Sequence, residues 1–387
     1  MAKGFGRAGR GLAVAKSCLI AMLIGVASPA TAQVFPALPP ETGQLNSSGV
    51  EETANDVLRS STVIILRNIE TRAFDALSRG RRFGPGGPGS TPDLDDEGEQ
   101  QSLRRARPGY SAGKDGDGSW YIGRLGIWAN PAVSFIENDF ESTAFDGFII
   151  TPLIGADYLI DDGIVVGLSL GYEGTRLDTD FNNGELDSDG FVITPYAGWA
   201  PHPNVQLTAG FSYTALEFDS AQALLGTTAT GDFSGNRLAG FVRATGFAPN
   251  EWHGIEPLTL SAGIGTRLAR QRQEEHVNSL GLPVAEEKSY LGQLNLALRA
   301  DYAIGLTPSA NGTAYLEGGF NYDYRQSETE VAIGTAVPSD DRTEGTIAVG
   351  FDAALSGGVS MGVEYLHVLG REDVKSRNLS FNLRVDF

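Results

Sequence analysis

Cysteine is nearly absent. Cys18 is the only one, and it precedes the apolar run Leu19-Ile20-Ala21-Met22-Leu23-Ile24-Gly25-Val26 rather than following it at a lipid-attachment site. Lys3, Arg7, Arg10 and Lys16 stand before that run and Ala30-Thr31-Ala32 after it, the charged, apolar and small-residue order of a secretory signal, so residues 1–32 are expected to be removed near Gln33. The mature chain then has no cysteine, which excludes a disulfide, a zinc-thiolate centre and a cysteine nucleophile. Basic residues are also scarce. The signal takes four of the 29, leaving 25 against 48 acidic residues and a net charge of -23, which argues against nucleic acid as a partner. Beyond the signal there is no run of 18 apolar residues, so a transmembrane helix is not the anchor.

What is present is alternation. In the terminal stretch Asn378–Phe387, Leu379, Phe381, Leu383, Val385 and Phe387 alternate with Asn378, Ser380, Asn382, Arg384 and Asp386, a period of two that only an extended strand can use. Both faces need a partner, and the chain closes on an apolar side chain. An outer-membrane barrel satisfies both, with lipid outside and a polar lumen inside.

Upstream the organisation changes three times. Residues 33–49 are Pro- and Gly-punctuated and read as a flexible leader. Ser48 and Glu51 then fit a capping box, and Ala54, Leu58, Ile65, Ile69, Ala73 and Leu77 recur at helical spacing, with Arg59, Arg67, Glu70 and Arg79 elsewhere on the cylinder. An amphipathic helix is expected over 50–80, at about 1.5 Å per residue long enough to thread a membrane-spanning barrel, as a pore plug or a minimal passenger. Residues 81–117, rich in Gly, Pro, Asp, Glu and Ser, read as a disordered linker with too little apolar area to repay ordering.

Residues 118–387 read as the barrel. Alternating segments lie near 119–129, 147–160, 164–178, 188–200, 205–218, 233–248, 257–271, 289–303, 311–327, 342–355, 358–371 and 376–387, about 12 in all and an even count. Short turns alternate with longer polar stretches at 130–146, 179–187, 219–232, 272–288 and 328–341, which sorts short and long connections to opposite rims. The expected fold is therefore all-β, an antiparallel transmembrane β-barrel of about 12 strands preceded by one α-helix. Val166, Leu168, Leu170 and Tyr172, with Leu294, Leu296, Leu298 and Tyr302 and with Leu316, Phe320, Tyr322 and Tyr324, are expected to face lipid. Glu173, Arg243, Arg267, Arg299, Asp301, Glu317, Asp323, Glu364 and Arg384 fall on the opposite faces, and so many ionisable groups imply a wet or helix-plugged lumen.

On these residues the chain resembles the autotransporter β-domain family of Gram-negative outer membranes, over roughly 118–387. The resemblance is carried by Leu125-Gly126-Ile127-Trp128-Ala129-Asn130, Gly155-Ala156-Asp157-Tyr158, Val165-Val166-Gly167-Leu168-Ser169-Leu170-Gly171-Tyr172, Pro195-Tyr196-Ala197-Gly198 and the terminal Phe387. It implies a monomeric barrel in the outer membrane, in contact with lipid and lipopolysaccharide. It also implies export of an N-terminal segment, periplasmic chaperones and the barrel assembly machinery as partners, and an assembly signal at Phe381, Leu383, Val385 and Phe387. The family usually carries a long passenger and a tight helix-to-barrel connection, whereas residues 33–117 supply only a short segment and a long linker.

Residue types associated with catalysis have other readings. Gly167-Leu168-Ser169-Leu170-Gly171 matches the hydrolase elbow but lies inside an alternating strand, without the helix that would expose the serine. Asp115-Gly116-Asp117-Gly118 opens like a calcium loop, yet Gly126 stands where the closing Glu is needed. His202, His253, His276 and His367 are scattered, and Asp178, Asp180, Glu185, Asp187 and Asp189 crowd one external loop as solvated charge. No catalytic, cofactor or metal site is expected. The reading is an outer-membrane translocator that anchors and displays a very short N-terminal segment; the alternative is a stand-alone pore or structural barrel plugged by the helix.

Overall fold

A computed structural model describes residues 47–83 and 124–387, apart from 142, 162, 225, 250, 251, 256, 308, 309, 328–340, 356 and 357. The signal, nearly all of the leader and linker, and the Asp115 loop lie outside the described residues. Helix α1 spans Ser47–Phe83, three residues longer at each end than the periodicity predicts; its 37 residues measure about 55 Å at 1.5 Å per residue.

The wall is a closed antiparallel barrel of the expected 12 strands. The first is β1 (Leu125–Asn130) continued by β2 (Ala132–Asn138), and the second is β3 (Phe145–Ile150) continued by β4 (Leu153–Asp161). They are followed by β5 (Ile164–Thr179), β6 (Gly184–His202), β7 (Val205–Leu224), β8 (Thr227–Phe247) and β9 (Leu258–Gln273). A small external hairpin, β10 (His276–Val277) and β11 (Pro283–Val284), precedes β12 (Glu287–Thr307), β13 (Ala310–Gln326), β14 (Thr343–Leu355), β15 (Val359–Leu369) and β16 (Val374–Asp386). Pro131 and Pro152 split the first two strands because proline has no N–H for the ladder, although their carbonyls still accept from Phe381 and Tyr172 at 2.9 and 3.1 Å. Closure is made by β16 against both halves of the first strand, with Gly126 opposite Asp386 and Ile127 opposite Val385.

Strand boundaries differ from the sequence reading mainly at the long-connection rim. The stretch 130–146 is not a loop, since β2 and β3 pair from Val133–Ile150 to Asn138–Phe145. Nor is 219–232: β7 and β8 remain paired up to Leu224–Thr227, and Gly226 takes the positive φ of 78° that the turn requires. The polar run 179–187 reduces to a turn at 180–183, with Asn183 left-handed at φ 48°. On β7 and β8, polar residues such as Asp219, Ser220, Thr228, Thr230 and Asp232 interrupt the apolar alternation while backbone pairing continues. The 272–288 connection folds into the β10–β11 hairpin, tied to β8 through Ser279 and Thr230 at 2.8 Å. His276 stacks on Phe233, which stacks on Phe218.

Candidate functional site

The side chains sort by strand parity. On β12, Leu294, Leu296, Leu298 and Tyr302 are exposed while Gln293, Asn295, Ala297, Arg299 and Asp301 between them are buried. The same holds on β5 and β13, where Val166, Leu168, Leu170, Leu316, Phe320, Tyr322 and Tyr324 face outward. Tyr172 is half-buried beside Phe191. A belt of large apolar side chains around a closed barrel, with polar groups turned inward, inverts the soluble pattern and fits a hydrocarbon surround.

The inside is not open. No side chain from Thr53 to Ser78 of α1 is exposed, whether apolar like Leu66 and Ile69 or polar like Glu70 and Arg72. Over Thr53–Ser78 the helix therefore has no solvent face; its apolar stripe meets apolar wall, Arg59, Arg67 and Glu70 meet wall charges, and Arg72 pairs with Asp75 of the helix itself. Near the long-connection rim, Asn138 donates to Asp56 at 3.1 Å, and Arg59 reaches Asp323 and, at 3.0 Å, Gln326. Arg371, in the β15–β16 turn, completes this tier through Glu344 at 2.6 Å and Asp323 at 2.7 Å. Burial opposes the charge of Arg371, but the fields of Glu344 and Asp323 outweigh it and hold the guanidinium above its ordinary pKa.

At mid-height Arg67 donates to both oxygens of Glu364, at 3.0 Å each, and to Glu317 at 2.8 Å. One turn further along, Glu70 accepts two bonds from Arg267, at 2.9 and 2.7 Å, with Arg243 3.6 Å away. Toward the short-turn rim, Phe74 stacks on Phe247 at 5.8 Å, Ser78 bonds Gln206 at 3.2 Å, and Leu77 packs over Gly198, where a Cβ would come within 2.7 Å of its Cδ1. The N-terminal end of the helix thus lies at the long-connection rim and its C-terminal end at the rim where β1 begins.

Wall residues answer one another as well. Arg299 bonds Asp301 at 3.0 Å and lies 3.5 Å over the Tyr315 ring. Glu173, fully buried, takes two bonds from Arg237 at 2.7 and 3.0 Å. Arg384 grips Asp157 at 2.5 and 2.6 Å and Asp386 at 2.6 Å, and Asp157 also accepts from Tyr196, which accepts from Trp128. Arg237, Glu344 and Arg371 are members of these networks that the sequence reading does not single out, and Asp157 stands there only within the resemblance motif, not as a lumen charge. For Arg237 a signal existed, because it shares strand parity with Arg243 on β8. On β16, Phe381 and Leu383 point outward and Val385 is half-buried, and Phe387, just past its end, is exposed as well.

The hydrolase-like pentapeptide belongs to the middle of β5. Gly167 and Gly171 face inward on either side of Ser169, and each leaves room for a neighbour: a Cβ on Gly167 would meet the Tyr196 ring at 2.2 Å, and one on Gly171 would meet Leu153 at 2.2 Å. Packing accounts for both glycines. Among the described residues no group of three His, Cys, Asp or Glu side chains gathers as a metal site. His202 and His253 instead accept from nearby backbone N–H groups at short-turn-rim connections.

A closed 12-stranded barrel with an apolar exterior and a helix seated in a charged interior is an outer-membrane β-barrel. The autotransporter beta-domain family model matches residues 127–366, more than half of the chain, and the protein belongs to that family. Two solved structures share the fold. The β-domain of the Bordetella autotransporter BrkA is 18% identical, covering 69% of this chain and 100% of that one, with a TM-score of 0.57. The translocator domain of NalP from Neisseria meningitidis is 13% identical, covering 82% and 98%, also at 0.57. No curated protein sequence matches the chain. Barrels of this family are translocators that reside in the Gram-negative outer membrane and are assembled there by the barrel machinery.

Proposed function

We propose that the protein is a monomeric outer-membrane anchor that displays the short segment N-terminal to α1 at the cell surface. The observation that carries this reading is the direction of the helix: Asp56 and Arg59 bond residues at the long-connection rim, whereas Leu77 and Ser78 pack at the rim holding Leu125 and Phe387. The segment that precedes Ser47 is, in this reading, the part displayed outside the cell. In this reading the mature protein starts near Gln33 after signal removal, lipopolysaccharide surrounds the exposed rim, and no catalysis is involved. An epitope inserted in residues 33–46 should be labelled by antibody and removed by protease on intact cells. Protection of that epitope until the outer membrane is broken would contradict display.

A second reading is favoured by the ion pairs of Arg67 and Glu70, which cross between helix and wall inside the lumen: a structural barrel whose pore the helix keeps shut. Deleting 50–78 would then open the lumen by the diameter of a helix, about 10–12 Å, and raise single-channel conductance in planar bilayers. Unchanged conductance would oppose it.

A further inference from the structure

Among the described residues, the outer surface of this acidic protein carries a concentrated basic sector. It lies on β9, β12 and β13 at the long-connection end of the apolar belt. Arg270 and Arg272 of β9, Lys288 of β12 and Arg325 of β13 are all exposed. The register puts Lys288 opposite Arg272 and Tyr290 opposite Arg270, on one outward patch. Tyr290 is flanked by two guanidiniums, Arg325 at 4.5 Å and Arg270 at 5.7 Å from its ring. Just below come Leu268, Leu294, Tyr322 and Tyr324, the upper edge of the apolar belt.

The backbone is adapted to this arrangement. Between β12 and β13 the pairing shifts at Gly292, which faces Arg325, while Gln293 faces Asp323, so Tyr324 is an extra residue. Such a bulge turns neighbouring side chains the same way. Tyr324 and Arg325 both project outward, and Tyr324 exchanges a hydrogen bond with Thr266 at 2.9 Å. Gly292 makes room for them: a Cβ there would meet the Tyr324 ring at 2.7 Å and the Arg325 Cβ at 3.0 Å. Glu286 pairs with Arg272 and Lys288, but Arg270 and Arg325 have no carboxylate partner among the described residues. The β5–β6 side of the same rim is the reverse, with Asp178, Glu185 and Asp189 exposed.

We propose that Arg270 and Arg325, braced by Tyr290 and supported by Arg272 and Lys288, form a binding site for the phosphorylated headgroup of an outer-leaflet glycolipid. Two guanidiniums at the boundary between apolar belt and water meet phosphate at the height where a lipid carries it, with acyl chains lying along Leu268 and Leu294 below. A free phosphate would use the charges but not the apolar surface. The inference rests on the outer-membrane placement of this rim.

The test uses the full mature chain refolded in detergent micelles, with barrel formation read separately by heat-modifiable migration. Loss of folding is thereby told apart from loss of lipid. Binding is measured for bis-phosphorylated lipid A, for enzymatically dephosphorylated lipid A and for inorganic phosphate. The wild-type barrel should bind the phosphorylated lipid at least about tenfold more tightly than either of the others. Arg270→Gln and Arg325→Gln should each weaken lipid A binding about tenfold, whereas Arg176→Gln, beside Asp187 on the acidic side, should leave it unchanged. Equal binding of the dephosphorylated lipid would overturn the proposal without any variant. So would phosphate bound as tightly as lipid A, or a loss in Arg176→Gln matching that in the arginine variants.

Discussion

Glu70 of the helix and Arg267 of β9 form a two-bond pair inside the barrel, both almost fully buried, with Arg243 approaching the same carboxylate. The helix is keyed to the wall by geometry as well as by burial. Arg67, one turn away, is held by Glu317 and Glu364 from two other strands. Helix charges paired with β9, β13 and β15 fix both rotation and height, since a shift of one turn, about 5.4 Å, would separate both sets.

Removing one member of such a pair leaves the other buried and uncompensated, at a cost of about 3–5 kcal/mol. Glu70→Ala should therefore lower the midpoint for loss of the heat-modifiable form and expose α1 to protease. Adding Arg267→Met to the same chain should recover part of the loss. A Glu70→Ala barrel that melts like wild type, with the helix still protected, would mean that the pair does not seat the helix.

Gly167 sits opposite Tyr196 across β5 and β6, and the Tyr196 ring lies where a Cβ would go. That ring cannot easily move, because its hydroxyl is bonded to both Trp128 and Asp157. Gly167→Ala should cost about 1–3 kcal/mol by overpacking. Gly318→Ala, with open space around the new methyl, is the control. Urea midpoints in micelles decide it, and equal midpoints for the two variants would remove the packing role assigned to Gly167.

Leu296 pairs with Ile264 and Phe320, and all three side chains face outward. Leu296→Arg should destabilise the barrel in lipid vesicles by about 2–4 kcal/mol if the residue lies near the bilayer midplane, and less toward the rims. The adjacent inward position offers no neutral comparison. Asn295 is buried with its Oδ1 close to Gly265, so an arginine there would collide with a filled interior rather than enter water. Vesicle unfolding that is insensitive to Leu296→Arg would place this face outside hydrocarbon.

These positions also explain what could be read from the chain alone. Alternation gives each strand residue a side, because one face meets lipid, and so strand number and outward residues such as Leu296 follow from a period of two. It does not give a partner. Arg67 and Glu364 are separated by 297 positions, and nothing local in either segment points to the other. Toward the long-connection rim the signal fades: Asp219 and Asp232 are paired across β7 and β8, yet their surroundings read as loop because Ser220, Gln222, Thr228 and Thr230 interrupt the apolar alternation. The helix is a related case. Its apolar repeat is visible, but that no side chain from Thr53 to Ser78 faces solvent becomes apparent only once the wall surrounds Glu70 and Arg72.

The final prediction concerns the seam. Arg384 of β16 lies across Gly126 of β1, so close that a Cβ on Gly126 would fall 1.9 Å from its Nη2, and the backbone N–H of Phe387 donates to Leu125 at 2.8 Å. Arg384 is anchored through Asp157 and Asp386, so the buried side of the closure is held by side chains that do not include Phe387. Phe387 itself is 61% exposed on the outer face. Deleting it should therefore remove one ladder bond and some lipid-facing area, a loss of about 1–3 kcal/mol in micelles. In cells the expected effect is larger, because β16 with Phe381 and Leu383 outward, together with Phe387 just past its end, is the segment proposed to be read during assembly. The measurement pairs heat-modifiable protein in cell envelopes with urea midpoints of refolded protein. A sharp cellular loss beside a modest micellar shift supports a role in biogenesis; normal assembly of the truncated chain would leave Phe387 with a structural role alone.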